Sequence, residues 1–259
     1  MNFRLTLQYD GTEFHGWQMQ GALRTVQGEL TRVLSLLDGR TVVVHGAGRT
    51  DAGVHAEAQV ASVELRRQIT ARKLQGAING NLPHDVRVID AEVAPDDFHA
   101  RFSACGKTYC YRIFNAPFIS PFWFRYAHHE ARPLDLDRMQ RAARLFRGTH
   151  DWTAFSAAQS DAQDRVRTIT ELVVEKRYDA RGRGSLIEIT ASADGFLRYM
   201  VRSIAGTLLA VGRGEMDEEI IWRAINEGDR TLAGATAPAH GLTLRQVHYS
   251  GQWSMAGDQ

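Results

Sequence analysis

The sequence predicts an α+β protein made of two ferredoxin-like halves, each an antiparallel sheet backed by helices. The strand and helix patterns of residues 3 to 93 follow the order β-α-β-β-α-β, which is that of the split βαβ unit. The same order recurs beyond residue 107 with longer inserts. The chain has 259 residues, 44% of them hydrophobic, so it can build two modest cores. We expect domains at 1–103 and 104–259, with a functional cleft between the halves.

The first half begins with apolar alternation over residues 3 to 9, which predicts a strand. The segment TVQGELTRVLSLL places its apolar residues on one helical face, with Thr25 as the N-cap. The same periodicities predict the remaining elements, which are strands at about 41 to 45 and 58 to 65, a helix at 70 to 79 and a strand at 86 to 93.

The second half repeats this order, and one extra helix precedes its last strand. Its predicted elements are a strand at 107 to 114, a helix at 135 to 146, strands at 166 to 176 and 185 to 192, helices at 197 to 211 and 217 to 227, and a strand at 242 to 249.

The charge of the chain is nearly balanced, with a formal net value of +1. Bulk charge therefore does not attract polyanions, and any nucleic-acid surface must be a local cluster. The basic residues are 28 arginines and three lysines. Arginine suits bidentate phosphate contacts and stacking on bases, although the codon usage of a GC-rich genome explains this bias equally well.

The pattern favours neither a membrane protein nor a metalloprotein. No apolar run approaches the roughly 18 residues of a membrane span, and MNFRLTLQYDG lacks the basic start and apolar core of a signal peptide. We expect a cytoplasmic protein. No His or Cys stands at zinc-ligand spacing around Cys105 and Cys110, which we interpret as packing residues. We expect no metal site and no cofactor.

The segment VVVHGAGRTDAGVHAEAQV, residues 42 to 60, places Asp51 in a glycine-rich loop between two strands. GAGRTD begins like a dinucleotide fingerprint, but its sixth position is Asp51 instead of glycine, and the Lys-Ser/Thr of a phosphate-binding loop is missing. A hairpin turn in which Asp51 accepts backbone hydrogen bonds is a common alternative. The spacing by itself favours that alternative over catalysis.

GAGRTDAGVHA resembles the signature of the bacterial tRNA pseudouridine synthase A family, in which the aspartate of GRTDAGVHA is the nucleophile. Five more segments resemble family motifs in the same order: YDGTEFHGWQ (9 to 18), NLPHDVRV (81 to 88), FHARFSACGKTYCYRI (98 to 113), FLRYMVRSIAGTLLAVGRGE (196 to 215) and DRTLAGATAPAHGLTL (229 to 244). The resemblance spans nearly the whole chain. Ala56, where the family often has glycine, and Thr108 depart from the pattern, but neither touches an atom that the chemistry needs.

The resemblance implies the pseudouridine synthase fold with a catalytic cleft between its halves. It also implies isomerisation of uridine to pseudouridine at positions 38, 39 and 40 of the tRNA anticodon stem-loop, by a homodimer and without a cofactor. An ionised carboxylate could start this reaction as a nucleophile at the ribose or the uracil, or as a base at the ribose 2′ position. Two alternatives stay open: a catalytically silent tRNA-binding or folding protein, and the same chemistry on another RNA.

The resemblance also assigns roles to single residues. Asp51 is the catalytic carboxylate. Arg202 of the third motif is the cation that keeps a carboxylate charged in a closed site; its position alone favours a surface arginine on a helix, whereas the apolar pattern of that helix predicts burial. Tyr109 packs against the target uracil, although a core tyrosine of its strand is an alternative that Tyr111 could equally fill. Arg49 fills the space that the flipped base leaves, or contacts a phosphate.

Two groups of basic residues are candidates for further tRNA contacts. Arg138 and Arg141 lie with Arg144 on the polar side of the helix at 135 to 146, where a solvated face is the slightly favoured alternative. The second group is Arg66, Arg67, Arg72 and Lys73.

Overall fold

The chain divides into two compact units in a computed structural model that describes residues 1–158 and 164–250. One unit is Met1–Cys105 together with the C-terminal segment from Thr243, and the other is Gly106–Leu242. The expected boundary after residue 103 falls close to this division. The last strand, however, was expected in the second domain and lies in the first unit. Residues 159–163 and 251–259 of the expected second domain lie outside the described part of the chain.

The first unit holds a sheet with the strand order β4-β1-β3-β10. β1 (Asn2–Tyr9) pairs antiparallel with β3 (His55–Glu64) and with β4 (Val86–Ala94). The other edge of β3 pairs antiparallel with β2 (Val44–Gly46) and parallel with β10 (Leu242–Tyr249). This parallel pairing of Thr243 and Leu244 with the start of β3 explains why the last strand belongs to the first unit.

Two helices follow the predicted apolar spacing in this unit. α1 (Val26–Asp38) begins after Thr25, whose side chain accepts the N–H of Gly28, and ends at Gly39, which has a φ of +70°. The predicted N-cap is therefore confirmed. α2 (Ala71–Asn79) buries Leu74 and Ile78.

The second unit has a sheet with the order β5-β9-β8-β7. β5 (Ala104–Asn115) pairs antiparallel with β9 (Gly184–Ala193), β9 with β8 (Val166–Asp179), and β8 with β7 (Gly148–Asp151). The short β6 (His128–Glu130) runs parallel to the end of β5. The expected antiparallel sheets thus each include one short parallel pairing.

The helices of the second unit are α3 (Leu136–Arg144), α4 (Met200–Gly212) and α5 (Glu218–Glu227). Twelve of the thirteen residues of α4 are buried, so this helix is central to the core of the unit. A Cβ atom on Gly206 would lie 1.7 Å from the carbonyl oxygen of Ala235, so glycine is required where the following segment crosses α4.

The predicted α+β class is confirmed, and the differences from the predicted elements have local causes. The helix predicted from residue 197 begins at Met200, because Tyr199 has a φ of +67° and cannot belong to a right-handed helix. β6 and β7 have three and four residues, which is too short for alternation to be recognised in the sequence.

Candidate active site

Asp51 lies in the loop between β2 and β3. The N–H of Val54 donates to the main-chain carbonyl of Asp51 over 3.1 Å, and Gly53 between them has a φ of +79°. Asp51 is half-buried, whereas Arg49 on the same loop is exposed. The turn is closed by a backbone carbonyl that any residue could supply, so its closure does not require the carboxylate.

The N-terminal segment YDGTEFHGWQ holds this loop through its backbone. The N–H of Trp17 donates to the carbonyl of Thr50 over 3.0 Å, and the N–H of Gly53 donates to the carbonyl of Phe14 over 3.3 Å. The hydroxyls of Tyr9 and Thr50 lie 2.9 Å apart. Burial raises the pKa of Tyr9 to about 12, so its hydroxyl stays neutral. The two sequence motifs therefore form one structural unit around Asp51.

Two glycines of the N-terminal segment allow this close approach. A Cβ atom on Gly16, whose φ is +87°, would lie 2.6 Å from the carbonyl oxygen of Thr50. A Cβ atom on Gly11 would lie 2.0 Å from the carbonyl oxygen of Val54. Any side chain at either position would displace the loop that carries Asp51.

Asp10, the other aspartate in these two segments, is bonded within its own turn. Its Oδ1 atom accepts hydrogen bonds from the N–H and the hydroxyl of Thr12 over 3.0 and 2.5 Å. The same oxygen lies 3.2 Å from Nδ1 of His55, which accepts the N–H of Gly11 over 2.9 Å. These contacts give the Asp10 carboxylate a structural role in its own turn.

A bidentate ion pair and a backbone hydrogen bond connect the NLPHDVRV segment to the residues that hold the Asp51 loop. Both carboxylate oxygens of Asp85 accept from Arg24 over 2.8 Å, and its carbonyl accepts the N–H of Asp10 over 3.0 Å. The guanidinium carbon of Arg24 lies 4.2 Å from the ring centre of Phe14, the residue whose carbonyl holds Gly53. Hydrogen bonds from Arg24 hold the pKa of Asp85 below its usual range.

Replacing Asp85 by asparagine should lower the free energy of unfolding by about 1 to 2 kcal/mol at pH 7, because a bidentate charge-assisted pair is lost in which the Asp85 side chain is only 15% exposed. A carboxyl group whose pKa is lowered in the folded state stabilises the protein above its unfolded pKa of about 3.9. That stabilisation is lost as the pH falls through the folded value. Urea unfolding at pH 7 and pH 3 should therefore show a difference between wild type and variant that shrinks at the lower pH.

The matched control for Asp85 is Glu227→Gln, which removes a half-exposed pair with Arg223. This change should leave the free energy of unfolding almost unchanged, as is usual for exposed helix pairs. Equal stability of wild type and Asp85→Asn at pH 7 would contradict a structural role for the Arg24–Asp85 pair.

In the second unit, Tyr109 and Tyr111 occupy neighbouring positions on one face of β5. Tyr111 has no exposed surface, and its hydroxyl donates to the carbonyl of Pro238 over 3.0 Å. Burial raises the pKa of Tyr111 above its ordinary value. Tyr109 is 7% exposed and meets Phe196 edge to face at 5.2 Å between ring centres. Both tyrosines are therefore buried, and Tyr109 remains the candidate for stacking through the family resemblance.

Arg202 is the one residue of α4 that is not buried. Its Nε donates to the carbonyl of Ala237 over 2.8 Å, and its own carbonyl accepts the N–H of Ala237 over 3.0 Å. Its guanidinium carbon lies 5.0 Å from the ring centre of Tyr199. Arg202 is thus held by the C-terminal block on one side and by an aromatic ring on the other.

Sequence reasoning did not single out Tyr199. Tyr199 directly precedes α4 and has a left-handed backbone conformation. Its ring faces the guanidinium groups of both Arg198 and Arg202. The signal available in the sequence was its position three residues before Arg202, within FLRYMVRS.

The predicted tRNA-contacting arginines of α3 are occupied by ion pairs. Arg138 lies 2.6 Å from Asp217, and Arg141 lies 3.3 Å from Glu218, at the start of α5. These pairs join two helices and therefore support the alternative to phosphate binding.

The basic group of the first unit is more open. Arg66, Arg67, Arg72 and Lys73 are all exposed. The backbone N–H groups of Arg66 and Arg67 bind the carboxylate of Asp38, and the side chain of Arg67 donates to the carbonyl of Leu37 over 3.0 Å. Arg72 and Lys73 lie in the first turn of α2. This group offers more accessible positive charge than α3 does.

Neither a metal-binding cluster nor a membrane-spanning helix is found in residues 1–158 and 164–250. Within these ranges, no three His, Cys, Asp or Glu side chains are grouped so that they could hold a metal ion. None of the helices described there has the length and apolar character needed to cross a membrane.

The chain matches the protein family described as tRNA pseudouridine synthase over residues 6–103 and 142–250. These stretches include Arg49, Asp51 and Arg202, whereas Tyr109 lies between them. A protein from Ruminiclostridium cellulolyticum named tRNA pseudouridine synthase A is 44% identical over 246 residues, 95% of this chain and 98% of that protein.

A second relative of the same name, from Bacillus sp. strain KSM-64, is 41% identical over 249 residues, 96% of this chain and 99% of that protein. Among solved structures, a chain of a Cbf5-Nop10-Gar1 complex matches at a TM-score of 0.39 and 12% identity, over 94% of this chain and 49% of that chain.

Proposed function

The chain belongs to the tRNA pseudouridine synthase family, and from this premise we propose that it converts uridine to pseudouridine at positions 38, 39 and 40 of the tRNA anticodon stem-loop. Asp51 is the catalytic carboxylate of this proposal. The observation that carries it is the half-buried Asp51 on a loop whose backbone is held by the N-terminal segment. A fixed carboxylate of this kind is what positioning at a reacting centre requires.

The reaction rearranges bonds within one nucleotide. The bond from uracil N1 to ribose C1′ breaks, the uracil turns, and a bond from C5 to C1′ forms. The C5 hydrogen leaves as a proton and N1 takes up a proton, so the product is an isomer of uridine. No electrons are exchanged with a cofactor and no phosphate moves. The carboxylate of Asp51 can start the reaction as a nucleophile at the ribose or the uracil, or as a base at the ribose 2′ position.

Three further residues are assigned to the same uridine. Tyr109 supplies an aromatic face for the uracil, which offsets part of the few kcal/mol that flipping a base costs. Arg49, exposed on the Asp51 loop, fills the space that the base leaves. Arg202 supplies positive charge that keeps the carboxylate ionised.

The remaining tRNA contacts in this proposal come from exposed basic residues. Arg66, Arg67, Arg72 and Lys73 are the favoured group, since their side chains face solvent. The family resemblance further supports a homodimer that works in the cytoplasm, where tRNA is modified. Analytical ultracentrifugation of the purified chain tests the homodimer.

Tyr199 should affect turnover through Arg202. Tyr199→Gly should leave thermal stability unchanged or higher, because glycine adopts a positive φ without strain. It should still lower kcat roughly fivefold, since the guanidinium group of Arg202 loses the ring that it faces. Tyr199→Phe, which keeps the ring, should retain wild-type kcat. A Tyr199→Gly enzyme with wild-type kcat would show that the ring does not position Arg202.

Tritium release from 5-tritiated uridine in tRNA tests the proposed function, because the hydrogen on C5 must leave. We expect release in the presence of EDTA, at a monovalent salt concentration that keeps the tRNA folded, since the chemistry needs only a carboxylate. Raising the salt from about 50 to 200 mM should weaken tRNA affinity by roughly tenfold or more through counterion release.

Two outcomes would overturn this proposal or part of it. Binding of tRNA without tritium release would favour the silent RNA-binding alternative. Complete loss of release in EDTA, restored by a metal ion and by no other means of folding the tRNA, would show that the reaction needs a metal.

A further inference from the structure

An exposed aromatic surface lies on the segment between β5 and β6. Phe118, Phe122 and Phe124 are 84%, 51% and 53% exposed, and Tyr126 is 38% exposed. Single exposed apolar residues are common on proteins, but four large aromatic residues within nine positions form a patch of the kind that marks an interaction site. None of these residues was assigned a role in the reaction.

The segment that carries the aromatic patch is anchored to the second unit by Trp123. Trp123, in the middle of the segment, packs against the buried core residues Phe114 and Leu186. Its indole N–H donates to the carboxylate of Asp179 over 2.8 Å. The N–H groups of Trp123 and Phe124 both donate to the carbonyl of Ser120, over 2.9 and 3.0 Å. The segment is therefore held by its tryptophan while its phenylalanines face solvent.

Positive charge accompanies the aromatic rings. The guanidinium carbon of Arg181, in the β8–β9 turn, lies 3.8 Å from the ring centre of Phe122. The segment 116–127 and the turn 178–184 contain Arg125, Arg181 and Arg183 against a single acidic residue, Asp179. The Asp179 carboxylate is already bonded to Trp123 and to the N–H of Gly182. The patch is therefore both aromatic and positively charged.

These properties suit RNA better than a second copy of the chain. A two-fold symmetric dimer brings a surface against itself, which would bring two patches of the same positive charge together. A polyanion with flat bases satisfies both properties, since bases stack on aromatic rings and phosphates pair with arginine.

We infer that the aromatic surface formed by Phe118, Phe122, Phe124 and Tyr126, together with Arg125 and Arg181, binds unpaired nucleotides of the tRNA substrate. This inference rests on the proposed function for the identity of the RNA. The surface adds affinity for tRNA and takes no part in the chemical step, so its loss should raise KM and leave kcat unchanged.

Three single variants test the inference: Phe118→Ala, Phe124→Ala and Arg181→Ala. Each aromatic change should weaken tRNA binding by about 5- to 20-fold, within the range measured for stacking on one base. Arg181→Ala should lower the slope of log affinity against log salt by about one. The control is Trp222→Ala, which removes a 59% exposed aromatic residue of α5 and should bind tRNA as wild type does.

Filter binding at fixed salt, tritium release and sedimentation distinguish the outcomes. Weaker binding in the three variants but not in Trp222→Ala supports the inference. Wild-type tRNA affinity in all three overturns it, and if their sedimentation shows a lost dimer, the surface is a self-association face. A wild-type protein that releases no tritium, with variants that still bind RNA more weakly, would remove the proposed function and leave this RNA surface in place.

Discussion

Replacing Asp51 by asparagine should reduce pseudouridine formation by about a thousandfold or more, with tRNA affinity within about threefold of wild type. A catalytic base alone contributes roughly 10²- to 10⁴-fold, and asparagine can act neither as nucleophile nor as base. Binding, in contrast, is distributed over many phosphate contacts. The loop should keep its shape, because its turn is closed by the backbone carbonyl of residue 51. The measurements are single-turnover tritium release and filter binding of the same tRNA.

Asp10→Asn is the matched control for Asp51→Asn. The carboxylate of Asp10 accepts hydrogen bonds from Thr12 and lies beside His55. Its loss should therefore lower thermal stability, while the folded enzyme should remain active. Activity that survives both Asp51→Asn and Asp51→Ala would refute the assignment. A folded but inactive Asp10→Asn enzyme, alongside an active Asp51→Asn enzyme, would transfer the catalytic role to Asp10.

Much of the fold was predictable because it follows from local patterns. β1 and α1 appear within one residue of the predicted strand and helix, since alternation and one-sided apolar spacing act over a few residues. The start of α4 at Met200 was not predictable, because it depends on the positive φ of Tyr199. No apolar pattern identifies such a residue, since tyrosine rarely adopts that conformation.

For the site, too, the sequence identifies single residues but not their contacts with residues far away in the chain. The sequence identifies Asp51 as a loop carboxylate, but the hydrogen bond from Trp17 to Thr50 joins residues 33 positions apart. The pairing of Arg138 with Asp217 joins residues 79 positions apart. Charge on one helix face therefore suggests a surface for polyanions, and only the tertiary structure shows that the charge is paired. The opposite holds for Phe118 and Phe124, whose exposure the sequence does not reveal.

Replacing Tyr109 by leucine should lower kcat/KM for tRNA by about 10- to 100-fold. Loss of stacking on one base costs roughly 1 to 3 kcal/mol, and leucine offers no aromatic face to the uracil. Tyr109→Phe keeps that face and its edge contact with Phe196, so it should bind tRNA almost normally. Its turnover should be slow if the hydroxyl assists the reaction. Steady-state tritium release gives kcat and KM separately for both variants.

Tyr111→Phe gives this experiment its control on the same strand. It removes the hydroxyl that donates to the carbonyl of Pro238, which should cost about 1 kcal/mol of stability and leave kcat and KM unchanged. The two tyrosines are two positions apart on β5. A substitution that disturbs the strand as a whole should therefore change the kinetics of both the Tyr109 and the Tyr111 variants. A kinetic effect confined to Tyr109 therefore indicates contact with the base, and wild-type activity of Tyr109→Leu would remove Tyr109 from the site.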